Sequence, residues 1–331
     1  MDSLDLCDAA TLQPFVSCLN LRGIPVARYL ERQYIPPEMV MDSDAKIIKR
    51  QAWRFFEDVE RCEGLVSLGF LDGDKTSIGS LGSLGQSLLK AVTLKDAIDT
   101  FSRLLSLFAE GNTCRLQQGG DLSWLFCYTQ GLDRTARVSD HYTIVILREV
   151  IRLAAGPEWE PPKMWLYSHP LKSTYAISQI ANAEVKFGNN AAGIAFPTKL
   201  LSQPVQILTE SFTHAKMEDA LPVESRNTSD TLQTILASFI KHRMLPTAAE
   251  AAEILGTNRT TLYRKLETDG TSYRQQCERA RFEKASMLLV DPAMSIKEIS
   301  YELGYSHQAN FGRAFRRLSG LTPTQYRNRN L

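Results

Sequence analysis

The stretch from residue 295 to residue 327 constrains the fold of this chain more than any other part of the sequence. Ser295 and Glu298 form an S-x-x-E pattern before an apolar run, which is the capping box that begins a helix. Apolar residues then recur at helical spacing as far as Leu303. Gly304 follows at a position suited to the positive φ of a helix end. The pattern predicts a short amphipathic helix followed by a turn.

A second, basic helix is predicted immediately after this turn. Ser306 can cap it, and we expect it to run through Arg317. Phe311, Phe315 and Leu318 recur at helical spacing and predict its buried side. A short turn between a small helix and a basic one is the helix-turn-helix arrangement. A plain helical hairpin with a solvated basic face is the alternative interpretation of this pair taken alone.

The same arrangement occurs a second time about fifty residues earlier in the chain. Thr247 and Glu250 form another capping box, and Asn258 can cap a basic helix with the sequence RTTLYRKLE. A long helix from Tyr273 to about Val290 then joins the two units. Two recognition helices on one rigid body can enter successive major grooves, which lie ~34 Å apart. The duplication therefore favours a DNA-binding module over a plain hairpin.

The outward faces of the two predicted recognition helices carry side chains that can read DNA. Gln and Asn pair with adenine and Arg pairs with guanine in the major groove, while further arginines neutralise phosphates. Leu262 and Leu266 are predicted to face inward on the first of these helices. The predicted DNA-binding residues are Arg259, Thr260, Tyr263, Arg264, His307, Gln308, Asn310, Arg313 and Arg317.

The line ISYELGYSHQANFGRAFRRLSGLTPTQYR, residues 299–327, resembles the signature of the AraC/XylS family of transcription regulators almost position by position. The resemblance covers about the last hundred residues and implies that the helix at 273–290 links two helix-turn-helix units. The rest of the chain resembles, more loosely, the arabinose-binding-type sensing domain that some members carry in front. The first unit departs from the family's commoner Leu-Gln-Arg by having Leu262-Tyr263-Arg264, which bears on its base preference.

The distribution of charge divides the chain in the same way as the motifs. From Asp230 onward, 15 Lys and Arg stand against 10 Asp and Glu, which leaves 23 of the 38 basic and 27 of the 37 acidic residues before it. A basic module joined to an acidic one is typical of a polyanion-binding domain with a non-binding partner domain. We therefore expect a regulatory domain over residues 1–212, a linker over 213–229 and a double helix-turn-helix DNA-binding domain over 230–331.

The N-terminal part predicts a mixed α+β domain in front of an all-α C-terminal domain. The predicted elements are a helix over about 43–61, a helix capped by Thr93, a hairpin of 113–118 and 123–129, a helix over about 139–155, strands at 163–168, 183–187 and 193–196, and a helix at about 205–220. Glycines at residues 80–85 lack the lysine and spacing of a P-loop and indicate close helix packing instead.

Candidate ligand residues in the N-terminal part each have a structural alternative. Arg148 and Arg152 share one helix face and could hold a phosphate or carboxylate, or they could bond neighbouring acids such as Glu149 or Glu158. Aromatic residues on the short strands could line an apolar pocket or belong to the core. His169 before a proline could orient a ligand or bond to backbone. The aromatic candidates are Trp124, Trp165 and Tyr167. The effector-binding residues stay unassigned by the sequence.

Composition favours a soluble globular protein, because 44% of the residues are hydrophobic and 23% are charged. No apolar run approaches the ~20 residues that a transmembrane helix needs, and the acidic N-terminus lacks the pattern of a secretion signal, so we expect a cytoplasmic protein. The six cysteines include no C-x-x-C and no close Cys/His cluster. We therefore predict no catalytic residue, no cofactor and no metal site.

Three functions compete at this stage. The first is a sequence-specific transcription regulator whose N-terminal domain senses a small molecule or mediates dimerisation. The second is an adaptor-type regulator whose N-terminal domain binds a protein. The third is an alkylation-repair enzyme on the same DNA-binding module, which would require Cys62, Cys114 and Cys127 to cluster around a metal. The expected partners are double-stranded promoter DNA, RNA polymerase, a small-molecule effector and a second copy of the chain.

Overall fold

The chain folds into an α+β structure with helices alone in its C-terminal part. The computed structural model describes residues 4–42, 44–65, 68–70, 78–131, 137–170, 174, 182–206 and 227–330. Strands occur only in the part before residue 207 among these ranges. The predicted helix at 205–220 and the predicted linker at 213–229 lie almost entirely outside the described residues.

The N-terminal part begins with a helical layer, residues 4–65, and continues into a five-stranded sheet with its own helices. Its elements are β1 (Leu6–Asp8), α1 (Gln13–Leu21), α2 (Ala27–Arg32), β2 (Lys46–Ile48), α3 (Lys49–Glu63), α4 (Gly82–Leu89), α5 (Leu94–Phe108), β3 (Asn112–Gln117), β4 (Leu122–Thr129), α6 (Arg137–Ala155), β5 (Lys163–Trp165), β6 (Glu184–Lys186) and β7 (Ala192–Pro197). The capping box predicted at Thr93 is confirmed, with Asp96 as its partner.

Residues 46–48 form a strand, so the prediction of a helix from about residue 43 was wrong. This strand, β2, pairs antiparallel with β1 and places Ile47 opposite Cys7. The helix α3 begins only at Lys49, and the Gln51 side chain accepts a hydrogen bond from the backbone N–H of Ile48 at 2.9 Å. Helical periodicity over 47–59 could not reveal this start, because the pairing partner lies forty positions away in sequence.

The predicted hairpin and short strands build one sheet in the order β3-β4-β7-β5-β6. Neighbours pair antiparallel except β5 and β6, which are parallel. One face of the sheet packs against α5 and α6, and Leu125, Ile194 and Phe196 on that face are buried. The strands at 163–165 and 184–186 are shorter than predicted. The glycine-rich segment packs closely as predicted, because a Cβ at Gly85 would overlap the carbonyl of Ile78.

The C-terminal part consists of seven helices in the described residues. They are α7 (Thr228–Lys241), α8 (Ala248–Ile254), α9 (Arg259–Thr268), α10 (Tyr273–Val290), α11 (Ile296–Glu302), α12 (Gln308–Ser319) and α13 (Pro323–Asn330). The capping boxes at Thr247 and Ser295 and the cap at Asn258 are confirmed, and α10 has the predicted bounds. Local capping chemistry thus set most of the helix starts.

Two details of α12 differ from the prediction. Ser306 does not cap the helix: His307 occupies the N-cap position without a capping hydrogen bond, and the helix continues to Ser319. Leu318 is 46% exposed rather than buried. Tyr326 of α13 packs against Phe315 with ring centroids 5.2 Å apart. The buried side of α12 therefore ends at Phe315 and does not include Leu318.

Buried apolar side chains form two cores, and the boundary between the cores differs from the boundary between the two predicted domains. One core lies between the sheet and helices α4 to α6. The other joins buried residues between positions 6 and 68 to buried residues between positions 232 and 315. Helix α7 packs directly against β2. The helical layer of residues 4–65 therefore lies between the sheet and the two helix-turn-helix units and shares its core with the latter.

Candidate nucleic-acid interface

The first helix-turn-helix unit consists of α8, a turn and α9. Gly256 follows α8 with a φ of +68°, a conformation that favours glycine. The Asn258 side chain then accepts a hydrogen bond from the N–H of Thr261 at 2.9 Å and begins α9. Leu262 and Leu266 are fully buried, as predicted. The opposite face of α9 is consequently turned outward.

The second unit repeats this geometry with α11 and α12. Gly304 follows α11 with a φ of +75°. Phe311 and Phe315 of α12 are buried, and their ring centroids lie 5.7 Å apart in an edge-to-face contact. The ring of Phe315 also packs against Phe282 of the linker helix α10 at 5.0 Å. The aromatic core fixes the orientation of α12 and directs its polar face to the surface.

All nine predicted DNA-binding residues are exposed. They are Arg259, Thr260, Tyr263 and Arg264 on α9, and His307, Gln308, Asn310, Arg313 and Arg317 at the start of and along α12. The helical layer contacts other parts of the C-terminal domain, so it leaves these two surfaces open. An exposed face rich in arginine and amide groups can take up the negative charge of a DNA backbone and hydrogen-bond to base edges.

Several of these side chains contact one another. The Nε of Arg259 donates to the Tyr263 hydroxyl at 3.2 Å, with the guanidinium 5.3 Å from the centre of the tyrosine ring. On α12, Arg313 donates to Asn310 Oδ1 at 2.7 Å. Arg317 is paired with Glu278 of α10 at 2.7 Å. Arg259 and Arg313 thus contact side chains of their own helices, whereas Arg317 is paired with the linker helix.

The helical layer holds the end of α8 in the first unit. Arg50 of α3 donates to the carbonyl oxygens of Glu253 at 3.1 Å and Ile254 at 2.9 Å. The hydroxyl of Tyr34 donates to the Glu253 carboxylate at 2.7 Å. A Cβ at Gly256 would overlap the Arg50 guanidinium. No pattern in the sequence indicates these contacts, because Arg50 lies in a predicted helix where an arginine is normally a solvated surface charge.

A second set of contacts holds the end of α7. Asp42 pairs with Lys241 at 2.8 Å and with the Nε2 of His242 at 3.0 Å. Burial acts to raise the pKa of Asp42, but the hydrogen bonds from Lys241, the Asp44 backbone and His242 outweigh it and lower the pKa below its ordinary value. The carboxylate is therefore charged and bound at neutral pH. No local sequence pattern predicts the contacts of Asp42 with Lys241 and His242, because these residues lie about two hundred positions from Asp42 in the sequence.

Buried Lys284 connects α7 to the second unit. Its Nζ donates to the Ile240 carbonyl at 2.8 Å and to Glu302 of α11 at 3.1 Å. Glu302 also binds Arg243, and this hydrogen bond is the main reason why its pKa lies below the ordinary value. A buried lysine is stable only when its charge is paired and its donors are satisfied, and both conditions hold here.

The candidate ligand residues of the N-terminal part separate into two groups. Arg148 binds Glu149 and Glu160, and Arg152 binds the same two carboxylates, so the arginine pair bonds neighbouring acids as in the structural alternative. Glu160 takes the place predicted for Glu158.

The aromatic candidates lie on the sheet face that is turned away from α5 and α6. Trp124, Phe126 and Trp165 form a compact cluster with ring centroids 5.1–5.4 Å apart. Gly193 on the strand between them leaves room for the Phe126 ring, which a Cβ at this position would overlap. Trp124 and Trp165 remain partly exposed, whereas Tyr167 lies beyond the end of β5 and His169 is exposed.

Two adjacent buried residues of α6 were not singled out from the sequence. Asp140 accepts hydrogen bonds from the backbone of Tyr167 and from both the N–H and the hydroxyl of Ser168. His141 is fully buried and stacks on Phe70 at 4.6 Å, but neither of its ring nitrogens has a hydrogen-bond partner among the residues that the structure describes. Burial, with a smaller contribution from Arg137, lowers the pKa of His141 to about 3, so this imidazole is neutral.

The three cysteines that would have to cluster for methyl acceptance differ in their surroundings. Cys62 is exposed on α3, whereas Cys114 and Cys127 are buried and face each other across β3 and β4. Burial raises the pKa of Cys127 to about 12, so it stays a protonated thiol. In the described ranges, no three His, Cys, Asp or Glu side chains form a group that could hold a metal ion, and no helix could cross a membrane.

Two exposed, arginine-bearing recognition helices on a duplicated helix-turn-helix define a DNA-binding protein. A family model described as the N-terminal arabinose-binding domain of AraC transcription regulators matches residues 23–205, more than half of the chain. A helix-turn-helix domain model matches residues 251–329. The chain belongs to the AraC family of transcription regulators. Its relatives are transcription regulators and not enzymes.

Similarity to individual proteins extends over different lengths of the chain. The HTH-type transcriptional regulator Rv1395 of Mycobacterium tuberculosis is 22% identical over 94% of this chain and 93% of its own. The regulator VirS of the same species is 29% identical over 54% of this chain and 53% of its own. The crystal structure of the transcriptional regulator CdpR from Pseudomonas aeruginosa covers 92% of this chain and 96% of its own, at 19% identity and a TM-score of 0.36.

Proposed function

We propose that this DNA-binding transcription regulator reads its operator with α9 and α12, through the nine exposed residues described above. The observation that carries the proposal is the polarity of the two helices. Each buries its leucines or phenylalanines and turns its arginines, amides and hydroxyls outward. A helix that enters the major groove needs this division, because its inner side must pack and its outer side must hydrogen-bond to bases and phosphates.

The two helices are expected to make different kinds of contact. On α12, Gln308 and Asn310 can pair with adenine and Arg313 with guanine. On α9, Arg259 and Arg264 can read guanine or bind phosphate, and Tyr263 can pack against thymine methyl groups. Arg317 is already paired with Glu278, so we expect it to contact the DNA backbone and not a base. The operator should therefore contain two half-sites separated by about one helical turn, ~34 Å.

Selection of duplexes from a random library by the full chain tests this proposal. We expect a bipartite motif, and replacement of Gln308 and Asn310 by alanine should remove the preference for adenine in one half only, while the guanine read by Arg313 is kept. A selection that enriches no sequence, or a double variant that keeps the full motif, would refute the assignment. Genome-wide binding of the wild-type protein would then identify the regulated genes and suggest the effector.

We propose further that the N-terminal domain senses a small molecule at the sheet face that carries Trp124 and Trp165. The partly exposed rings of Trp124 and Trp165, which pack around Phe126, support this proposal, since exposed aromatic rings can stack on flat or apolar groups. A panel of metabolites tested by thermal shift and tryptophan fluorescence should yield a compound whose effect disappears in Trp165→Ala. A compound that acts equally on that variant would place the site elsewhere. Contacts with RNA polymerase and between two copies of the chain remain further proposals of the same kind.

A further inference from the structure

The first turn of α3 connects the two parts of the chain through two consecutive residues. Lys49 extends into the N-terminal part, where its Nζ donates to the carbonyl of Glu110 at 2.5 Å and to Asn112 Oδ1 at 2.8 Å. Arg50 extends the other way and donates to the last carbonyls of α8, those of Glu253 and Ile254. Because adjacent helical residues point in different directions, one short turn can hold both sides at once.

The end of α8 is a place where a cation has a definite physical effect. The last carbonyls of a helix have no partner within the helix, and the helix dipole makes this end negative. A guanidinium that donates two hydrogen bonds there satisfies the carbonyls and balances the dipole. Gly256, the next residue but one after α8, has no side chain to obstruct it.

The second helix-turn-helix unit receives the same kind of contact from within its own domain. At the end of α11, the carbonyl of Leu303 accepts a hydrogen bond at 3.3 Å from the Nε of Arg281, which belongs to the linker helix α10. A Cβ at the equivalent glycine, Gly304, would meet no atom within 4 Å among the described residues. The second unit is therefore completed by its own linker helix, whereas the first unit depends on the helical layer.

We propose that Arg50 is a positioning residue for the first helix-turn-helix unit. It fixes the end of α8, and through the short turn at Gly256 it sets the direction in which α9 presents its polar face. Docking of the helical layer therefore acts on the first unit directly, through α8, and reaches the second unit only through the end of α7. The four predicted DNA-binding residues of α9 are all exposed while the helical layer is docked, which is consistent with docking that favours DNA binding.

Neighbouring contacts hold the helical layer in place, so that Arg50 stays beside the end of α8. Tyr34 holds the side chain of Glu253, the residue whose carbonyl Arg50 also binds. Asp42 holds Lys241 and His242 at the end of α7. These contacts anchor the layer to both helices that precede the first recognition helix, so an effector that shifts α3 would act on the first unit before the second.

The inference rests on the proposed use of α9 and α12 as recognition helices, and full-length variants test it. Arg50→Ala should weaken operator binding about threefold to tenfold, with the loss confined to base pairs in the half-site read by α9. Arg50→Lys, which keeps the charge but loses the forked donor geometry, should restore part of the affinity. Arg61→Ala is the matched control, because Arg61 lies on the same helix and binds Asp58 within it.

Hydrogen exchange without DNA separates this inference from the proposed function. Arg50→Ala should speed amide exchange at the end of α8 and in the first turn of α9, while α11 and α12 exchange as in the wild type. Equal loss of affinity at both half-sites, or unchanged exchange in α8 and α9, would overturn the positioning role. If the wild type itself selected no operator, the proposed function would fail, and the exchange data would still decide the role of Arg50.

Discussion

The guanidinium of Arg50, in the N-terminal part of the chain, fills the space into which a side chain at position 256 would project, and position 256 is a glycine. Gly256 thus serves two purposes, because its φ of +68° ends α8 and its lack of a Cβ admits the arginine. Its counterpart Gly304 serves only the first purpose. The contrast between the two glycines allows the contact between the domains to be measured.

Gly256→Ala should destabilise the protein more than Gly304→Ala. Both variants place alanine at a positive φ, which costs roughly 1–2 kcal/mol. Gly256→Ala must also displace the Arg50 guanidinium from the carbonyls of Glu253 and Ile254, and the loss of these charged hydrogen bonds adds about 1 kcal/mol or more. Urea unfolding of the full chain measures both. In an Arg50→Ala background the two glycine variants should become equivalent, and a difference that persisted there would show that Arg50 is not its cause.

Phe315→Ala should unfold or severely destabilise the second unit, at a cost of ~3–5 kcal/mol. The ring is buried and packs against Phe282, Phe311 and Tyr326, so its removal leaves a cavity among aromatic side chains. Leu318→Ala is the control on the same helix, and its effect should stay within about 0.5 kcal/mol because the side chain is exposed. Similar unfolding curves for the two variants would contradict this assignment of the core.

Arg313→Ala should cost ~1–3 kcal/mol of binding free energy at one operator position, if Arg313 reads a guanine. Binding titrations against operators with single base changes would reveal the position at which the variant no longer discriminates. Arg317→Ala should instead weaken binding to all sequences evenly and reduce the salt dependence, as expected for a phosphate contact. If Arg313→Ala instead weakens binding to all sequences evenly, Arg313 contacts a phosphate and does not read a base.

The buried imidazole of His141 should make stability depend on pH. Its pKa of about 3 lies below the ordinary value of 6.5, so the unfolded chain takes up a proton below pH 6.5 that the folded chain does not. The stability is therefore complete above pH 6.5 and is lost as the pH falls from there towards 3.

Urea unfolding at about pH 7.5 and about pH 5.5 should show the wild type losing about 1 kcal/mol that His141→Leu retains. His169→Gln is the control, because His169 is exposed. An equal loss in wild type and His141→Leu would mean that other groups cause the pH dependence.

Features that depend on neighbours in sequence were predicted well. The capping boxes at Thr247 and Ser295 and the cap at Asn258 involve side chains three residues from their backbone partners, so a local pattern contains the whole interaction. The linker helix α10 was predicted with its observed bounds for the same reason. The exposed positions of the nine recognition residues follow from helical periodicity, but their contacts with bases stay a prediction.

Features that depend on distant partners were predicted poorly. Residues 46–48 have helical periodicity and yet form a strand, because β1 offers them a backbone ladder. Leu318 has the spacing of a buried residue but is exposed, because Tyr326 closes the core at Phe315. The isolation of His141 and the pairing of Arg148 with Glu160 likewise depend on what folds against α6.

The sequence by itself determined that the chain ends in two helix-turn-helix units with basic outer faces, since caps, glycine stops and apolar spacing are local properties. Only the tertiary structure decided that buried residues between positions 6 and 68 share a core with these units and that Arg50 binds the end of α8 in the first of them. A long-range contact forms because two surfaces meet in space, and the free energy it contributes depends on both. Neither surface alone specifies its partner, so the shared core and the Arg50 contact can be identified only in the folded chain.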